Sequence, residues 1–345
     1  MDLLEIIQNT LKSPEPGPAP LSFSSIEKEL AAGLRWYWEI AETILEGSGV
    51  RLRPPSPDYF ALNRNFFSLL FLYSYHRAGL PPDRRIFYAA INQCLRGMVT
   101  GCDNLLDDEY KKTLSTDLPE KGWRMRSVID IMVSDRVLYA LLMDACRKNE
   151  LTLDQVASAG AVSLQALTQS GAQEAQEEGG IDARLTPEEV LSRVHHYKTA
   201  LLFQCVWAIP EGIESSPPAL VSMLKQALYE IGMGCQILDD MVDLSSDIRN
   251  RRHNYAASLI HHASAEAEGL RPEMALLTDA ELEKETDLLM AFPAARKAAA
   301  QTAIGFLEKG LRALFIAEHR ALIQPAIYFI ARQIGADRFF PDAPE

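Results

Sequence analysis

The chain has 345 residues, 48 % of them apolar and 23 % charged, with a formal net charge of −13. That length suits one large domain or two ordinary ones, with enough apolar material for a sizeable core. The acidic balance argues against a nucleic-acid surface, which needs a basic face, but allows a phosphorylated small molecule met by a local Lys/Arg cluster or by carboxylate-held divalent cations.

Helical periodicity dominates from one end to the other, and strand-like alternation is nearly absent. Residues 1–22, with "SPEPGPAP" at 13–20, form an arm too rich in proline for a core element. The stretch 24–47 opens on a Ser/Glu capping pattern and closes on Gly47. Further helices are expected over 60–79, 84–110, 123–147, 153–178, 187–209, 218–243 and 295–335, with Pro/Gly-rich breaks between them. The polar stretch 261–287 suits a surface pair of short helices, and 336–345 a tail. Residues 23–335 therefore make a single all-α domain of roughly ten or more helices. The five cysteines follow no metal or disulfide spacing, which fits a reduced, cytoplasmic setting. No signal peptide is visible, and "FFSLLFLYSY" at 66–75 is too short to span a bilayer.

Chemistry is concentrated in a few short stretches. In "DNLLD" (103–107), Asp103 and Asp107 stand four apart, on one helix face one turn apart, where two carboxylates repel unless a cation lies between them. Asp108 points about 100° away. A solvated acidic helix end would carry the same residues. The second cluster, "DDMVD" (239–243), repeats the spacing with Asp239 and Asp243, with Asp240 between them, at the end of the apolar stretch "YEIGMGCQIL". Burying such charges is costly without partners, and two clusters of one kind suggest facing metal sites for oxygen-seeking Mg²⁺. Lys198 and Thr199 interrupt an apolar helix, either as a cation aimed at a metal-bound diphosphate or as a snorkelling lysine. His195 and His196, just before them, read as core or surface histidines rather than metal ligands. Arg51 and Arg53 alternate with Leu52, so an extended segment turns both to one side, as bidentate phosphate contacts or as an ordinary basic loop.

Taken together, these motifs resemble the trans-isoprenyl diphosphate synthase (polyprenyl synthetase) family over roughly residues 25–260. "DNLLD" resembles its first DDxxD motif and "CQILDDMVD" (235–243) its FQxxDDxxD motif, with Gln236 in place; Lys198–Thr199 resembles its Lys-Thr motif. "SGVRLRP" (48–54) resembles GGKRLRP, and "AQEAQ" (172–176) resembles GQxxD only in part, keeping Gln173 and replacing the acid by Gln176. The resemblance implies an antiparallel isoprenoid-synthase bundle with a central cavity, and a homodimer. It implies Mg²⁺, as many as about three ions, with Mn²⁺ able to substitute, on Asp103, Asp107, Asp239 and Asp243. It further implies an allylic prenyl diphosphate held by Lys198, with Thr199 and Gln236 beside it. Lys111 and Lys112 would replace an arginine pair, and Arg51 and Arg53 would meet isopentenyl diphosphate. The implied reaction joins the two substrates into a longer prenyl diphosphate.

Four positions depart from the pattern: Val50 replaces the lysine, Asn104 the second Asp, Arg96 the histidine seven residues upstream of the first motif, and Cys235 the phenylalanine. Arg96 could restore the cation lost at Val50, and the Asn104 oxygen could still contact a metal or water. Met98 and Val99, one turn below Asp103, with Leu95 deeper, would line the product pocket without an aromatic floor, favouring a product of about fifteen to twenty carbons or more. A terpene cyclase on the same fold and a non-catalytic partner subunit are the competing expectations.

Overall fold

The computed structural model describes residues 23–107, 110–262 and 288–340. The amino-terminal arm, Asp108, most of the polar stretch 261–287 and the last five residues of the expected tail lie outside the described residues. Within them the chain is helical, with a single isolated antiparallel bridge between Leu52 and Thr116. They divide into two compact units: residues 23–165 with 206–221, and residues 166–205 with 222–262 and 288–340.

In the first unit, α1 (Phe23–Leu45) and α2 (Phe66–Arg77) lead into α3 (Pro82–Leu106) and α4 (Trp123–Arg147), and α1 packs on both α3 and α4. The proline at the start of α3 pre-sets helical φ at a position that needs no amide bond. Small residues let the helices approach: a Cβ on Gly33 would stand 2.6 Å from that of Ala89, so any side chain there pushes α1 off α3. A buried ion cluster ties these helices together. Glu29 accepts from Arg85 Nε at 2.8 Å and lies 2.9 Å from His76 Nε2. Tyr75 Oη donates to the Val206 carbonyl at 2.6 Å, and Trp207 Nε1 donates to Ser74 Oγ at 3.0 Å, which pins the 206–221 segment onto α2.

The second unit receives α5 (Leu153–Glu177) from residue 166 onward. It continues through α6 (Pro187–Glu189), a π-helix (Val190–Ala200) and α7 (Leu201–Cys205). After α8 (Ala208–Ile213), which belongs to the first unit, come α9 (Pro218–Val242), α10 (Leu244–Arg249), α11 (Tyr255–His262), α12 (Pro293–Leu314) and α13 (Ile323–Ile334). Gly234 of α9 lies against α12, where a Cβ would meet Leu307 Cγ at 2.5 Å. The stretch expected as one helix over 295–335 breaks after Leu314: Phe315 is extended (φ −78°, ψ 140°) and buried, so the chain gives up helical bonds to sink that ring. Gly335 ends α13 with φ 87°, and the short helix Asp337–Phe339 that follows buries Phe339. No helix among the described residues is long and apolar enough to cross a membrane.

Candidate active site

In the first unit, α3 ends at the first acidic motif. Asp107 caps the helix, its amide donating to the Asp103 carbonyl at 2.9 Å, so the two acids stand one turn apart as the spacing requires. Asp103 is half-buried and Asp107 exposed, whereas Asn104 between them is 0 % exposed. No basic residue sits in the last turn of α3. Carboxylates at a helix C-terminus face the negative end of the helix dipole, which adds to their mutual repulsion. Asn104 is not placed to meet a metal as the sequence allowed. Its amide nitrogen donates to the Lys111 carbonyl at 3.0 Å and to Ser127 Oγ at 3.3 Å, and its oxygen accepts from the Lys111 amide at 2.7 Å.

The second unit repeats this arrangement at the end of α9. Asp239 and Asp243 are exposed, linked by the Asp243 amide donating to the Asp239 carbonyl at 2.8 Å. Asp240 is 3 % exposed. It lies 2.9 Å from His195 Nε2, accepts from Gln236 Nε2 at 3.0 Å and from the Tyr255 amide at 2.5 Å, while Asn254 donates to its backbone carbonyl at 2.7 Å. Burial pushes the Asp240 carboxyl up, but His195 and these donors outweigh it and hold the group below the usual carboxylate range. His195 is thus the partner of a buried acid, in line with its reading as a core histidine. Asp247, one turn further on, was not singled out by the sequence. Burial, and then the neighbouring Asp240 charge, pushes it up to about 8, against a 2.8 Å bond from Asn254.

Lys198 and Thr199 lie in the π-helix, whose wide turn shows in the Leu201 amide bonding the His196 carbonyl five residues back. The Lys198 ammonium stands 3.1 Å from Glu174, and Ser170 Oγ donates to its carbonyl at 2.9 Å. Burial works against its charge, yet Glu174, with Asp247 further off, holds its pKa above the ordinary value. Thr199 Oγ1 donates to Gln236 Oε1, so the Lys-Thr pair is tied to the second acidic motif within one unit. The acid that the sequence placed as lost at Gln176 has neighbours that serve instead: Glu174 meets Lys198, and Glu177 accepts from Gln173 at 2.9 Å. The only hint in the sequence is an acid one helical step from Gln173.

Lys198 aside, the expected phosphate contacts lie in the first unit. Arg51 and Arg53 are exposed on an extended segment, with Leu52 bridged to Thr116 and the Arg53 amide donating to the Ser115 carbonyl at 2.7 Å. This is the geometry the alternation required. Arg96 is exposed and its Nη1 donates to Asn65 Oδ1 at 2.8 Å; among the described residues it pairs with no carboxylate. Lys111 and Lys112 are exposed, Met98 and Val99 half-buried and Leu95 buried. Among the described residues, no three or more His, Cys, Asp or Glu side chains are arranged as a metal-holding group.

No family model and no curated protein matches the sequence. Solved structures do match the fold. The chain is similar to a geranylgeranyl pyrophosphate synthetase from Pyrococcus horikoshii, with TM-score 0.59 and 18 % identity over 95 % of this chain and 98 % of that one. It is similar also to a decaprenyl diphosphate synthase from Rhodobacter capsulatus, at 0.56 and 18 % over 89 % and 99 %. A heptaprenyl diphosphate synthase from Staphylococcus aureus gives 0.58 and 15 % over 87 % and 98 %. The protein is thus an all-α helical protein of a known architecture. That architecture is the fold of the trans-isoprenyl diphosphate synthases, as the sequence motifs led one to expect.

Proposed function

We propose that the chain is a Mg²⁺-dependent prenyltransferase that joins an allylic prenyl diphosphate to isopentenyl diphosphate. One observation carries this reading: in both acidic motifs the i, i+4 carboxylates are accessible, while the polar residue directly after the first of them, Asn104 or Asp240, is buried and hydrogen-bonded. A merely solvated acidic turn has no reason to sort its residues in this way twice. The outer donors are carboxylate oxygens without imidazole or thiolate, a set that fits Mg²⁺ and leaves it room for water and phosphate oxygens. Mg²⁺ held by Asp103, Asp107, Asp239 and Asp243 would neutralise charge on the departing diphosphate.

The chain's own residues supply the rest. Lys198 stays protonated throughout the neutral range and offers a fixed cation to the allylic diphosphate, with Glu174 as its partner at rest. Thr199 and Gln236 hold that segment in place. Arg51 and Arg53 present guanidinium forks to the second diphosphate, and Arg96, aimed by Asn65, supplies the cation that Val50 lacks. Met98, Val99 and Leu95 would line the tail of the product. A homodimer fits the exposed Met125, Met132 and Tyr139, spaced by seven along α4. Val50 favours a second reading, a terpene cyclase without the isopentenyl pocket. Incubation with geranyl diphosphate, with and without isopentenyl diphosphate, separates the two. A longer prenyl diphosphate supports the transferase, a hydrocarbon or alcohol the cyclase, and no metal-dependent conversion under either condition overturns both.

A further inference from the structure

Asn104 breaks the acidic pattern at a position where a neutral residue looks like a lost ligand, and its surroundings explain the choice. The side chain is fully buried. It grips the backbone of one residue on both sides of its Cα, accepting from the Lys111 amide at 2.7 Å and donating to the Lys111 carbonyl at 3.0 Å. Its second amide hydrogen reaches Ser127 Oγ at 3.3 Å, and that hydroxyl is itself committed to the Trp123 carbonyl at 3.0 Å. The grip needs a donor and an acceptor on separate atoms at the end of one short neutral side chain, which asparagine supplies and an ionised aspartate does not. A carboxylate at 104 could still accept from the Lys111 amide. It would place a charge in a buried position and set its second oxygen against the Lys111 carbonyl, with no proton to offer.

We infer that Asn104 is a positioning residue, which fixes the backbone at Lys111 so that Lys111 and Lys112 are presented beside the Asp103–Asp107 pair as a diphosphate-binding cation pair. The inference rests on the prenyltransferase reading for the role of those lysines. It makes the departure at 104 a gain for anion binding, so replacing the amide by the acid of the usual pattern impairs the site.

The test is a double-mutant cycle read as the dissociation constant for inorganic diphosphate in the presence of Mg²⁺, measured by calorimetry on the full chain below the melting temperature of each variant. Asn104→Asp weakens binding about tenfold, the effect of one misplaced charge-assisted contact. In a Lys111→Ala/Lys112→Ala background the same substitution leaves the constant within about twofold, because its route to the ligand is gone. A residue that only held the fold together would not give that non-additivity. Asn104→Ala, which removes the grip without adding a charge, runs the same cycle if the aspartate variant does not fold. Binding by Asn104→Asp equal to or tighter than the parent overturns the inference, as does an equal loss in both backgrounds or a parent chain that binds no diphosphate. A parent that binds diphosphate and obeys the cycle, yet converts no prenyl diphosphate, leaves the inference standing and removes the prenyltransferase reading.

Discussion

The ends of α3 and α9 solve one problem with different chemistry. Each sets two carboxylates one turn apart on its outer side and turns the polar residue directly after the first of them, Asn104 or Asp240, inward. At α3 that residue is an amide, and it can hold the backbone of Lys111 by both its donor and its acceptor. At α9 it is a carboxylate, which only accepts, so the fold must bring donors to it: the Tyr255 amide, Gln236 and His195. The inward position is a structural post whose chemistry follows from what it must hold, while the outward pair is set by what it must bind. The acidic motif is therefore two motifs interleaved, and only the outer one carries the proposed catalysis.

The largest effects are expected on the outer positions. Asp103→Ala or Asp239→Ala lowers turnover by orders of magnitude, and excess chelator abolishes it in the parent; full activity in chelator removes the mechanism. The inner positions act on stability instead, and unequally. Asp240→Ala strands His195 and the donors around it and costs about 3–5 kcal/mol, whereas Asn104→Ala costs about 1–3 kcal/mol. Urea titration of both variants checks the order, and a larger loss at Asn104 would break the contrast drawn above.

A buried acid outside both motifs calibrates these figures. Arg85 and His76 outweigh burial and hold Glu29 down at about 2, from an ordinary 4.5. A depressed folded-state pKa means that its stabilisation is complete above pH 4.5 and is lost as the pH falls towards 2. The shift corresponds to about 3 kcal/mol. Melting temperatures taken between those limits should fall more steeply for the parent than for Glu29→Gln, and parallel curves would refute the assignment. A smaller effect is expected at the phosphate contacts. Arg96→Ala raises the KM for isopentenyl diphosphate about ten- to a hundredfold and leaves that for the allylic substrate nearly unchanged. Equal changes in both would refute its role. The mildest change is to product length: Met98→Phe shortens the parent's product of about fifteen to twenty carbons, and an unchanged profile places position 98 outside the pocket.

Much of this was legible in the sequence, for identifiable reasons. The helix over 123–147 was read to the residue, because apolar periodicity and flanking Gly122 mark both ends. The extended Arg51–Arg53 segment and both acidic pairs followed from spacing alone. The break at Phe315 was not legible, because burial of one ring overrides a local pattern that reads as continuous helix. Glu174 and Asp247 were missed because their partners, Lys198 and Asn254, are brought near only by the fold. The duty of Asn104 lies in hydrogen bonds to a backbone seven residues away, and a side chain's identity does not disclose those.

The π-helix through Lys198 makes the orientation of that lysine a matter of counting. A wide turn accommodates a residue more than an α turn would, and each residue advances a helix by about 100°. Removing one residue between 190 and 197 would let the segment relax to α-helix with Lys198 and Thr199 close to their present faces, whereas adding one there would turn them away from Glu174 and Gln236. The segment should accordingly tolerate many replacements on its exposed face, at Ser192 or Arg193, and a single deletion better than a single insertion.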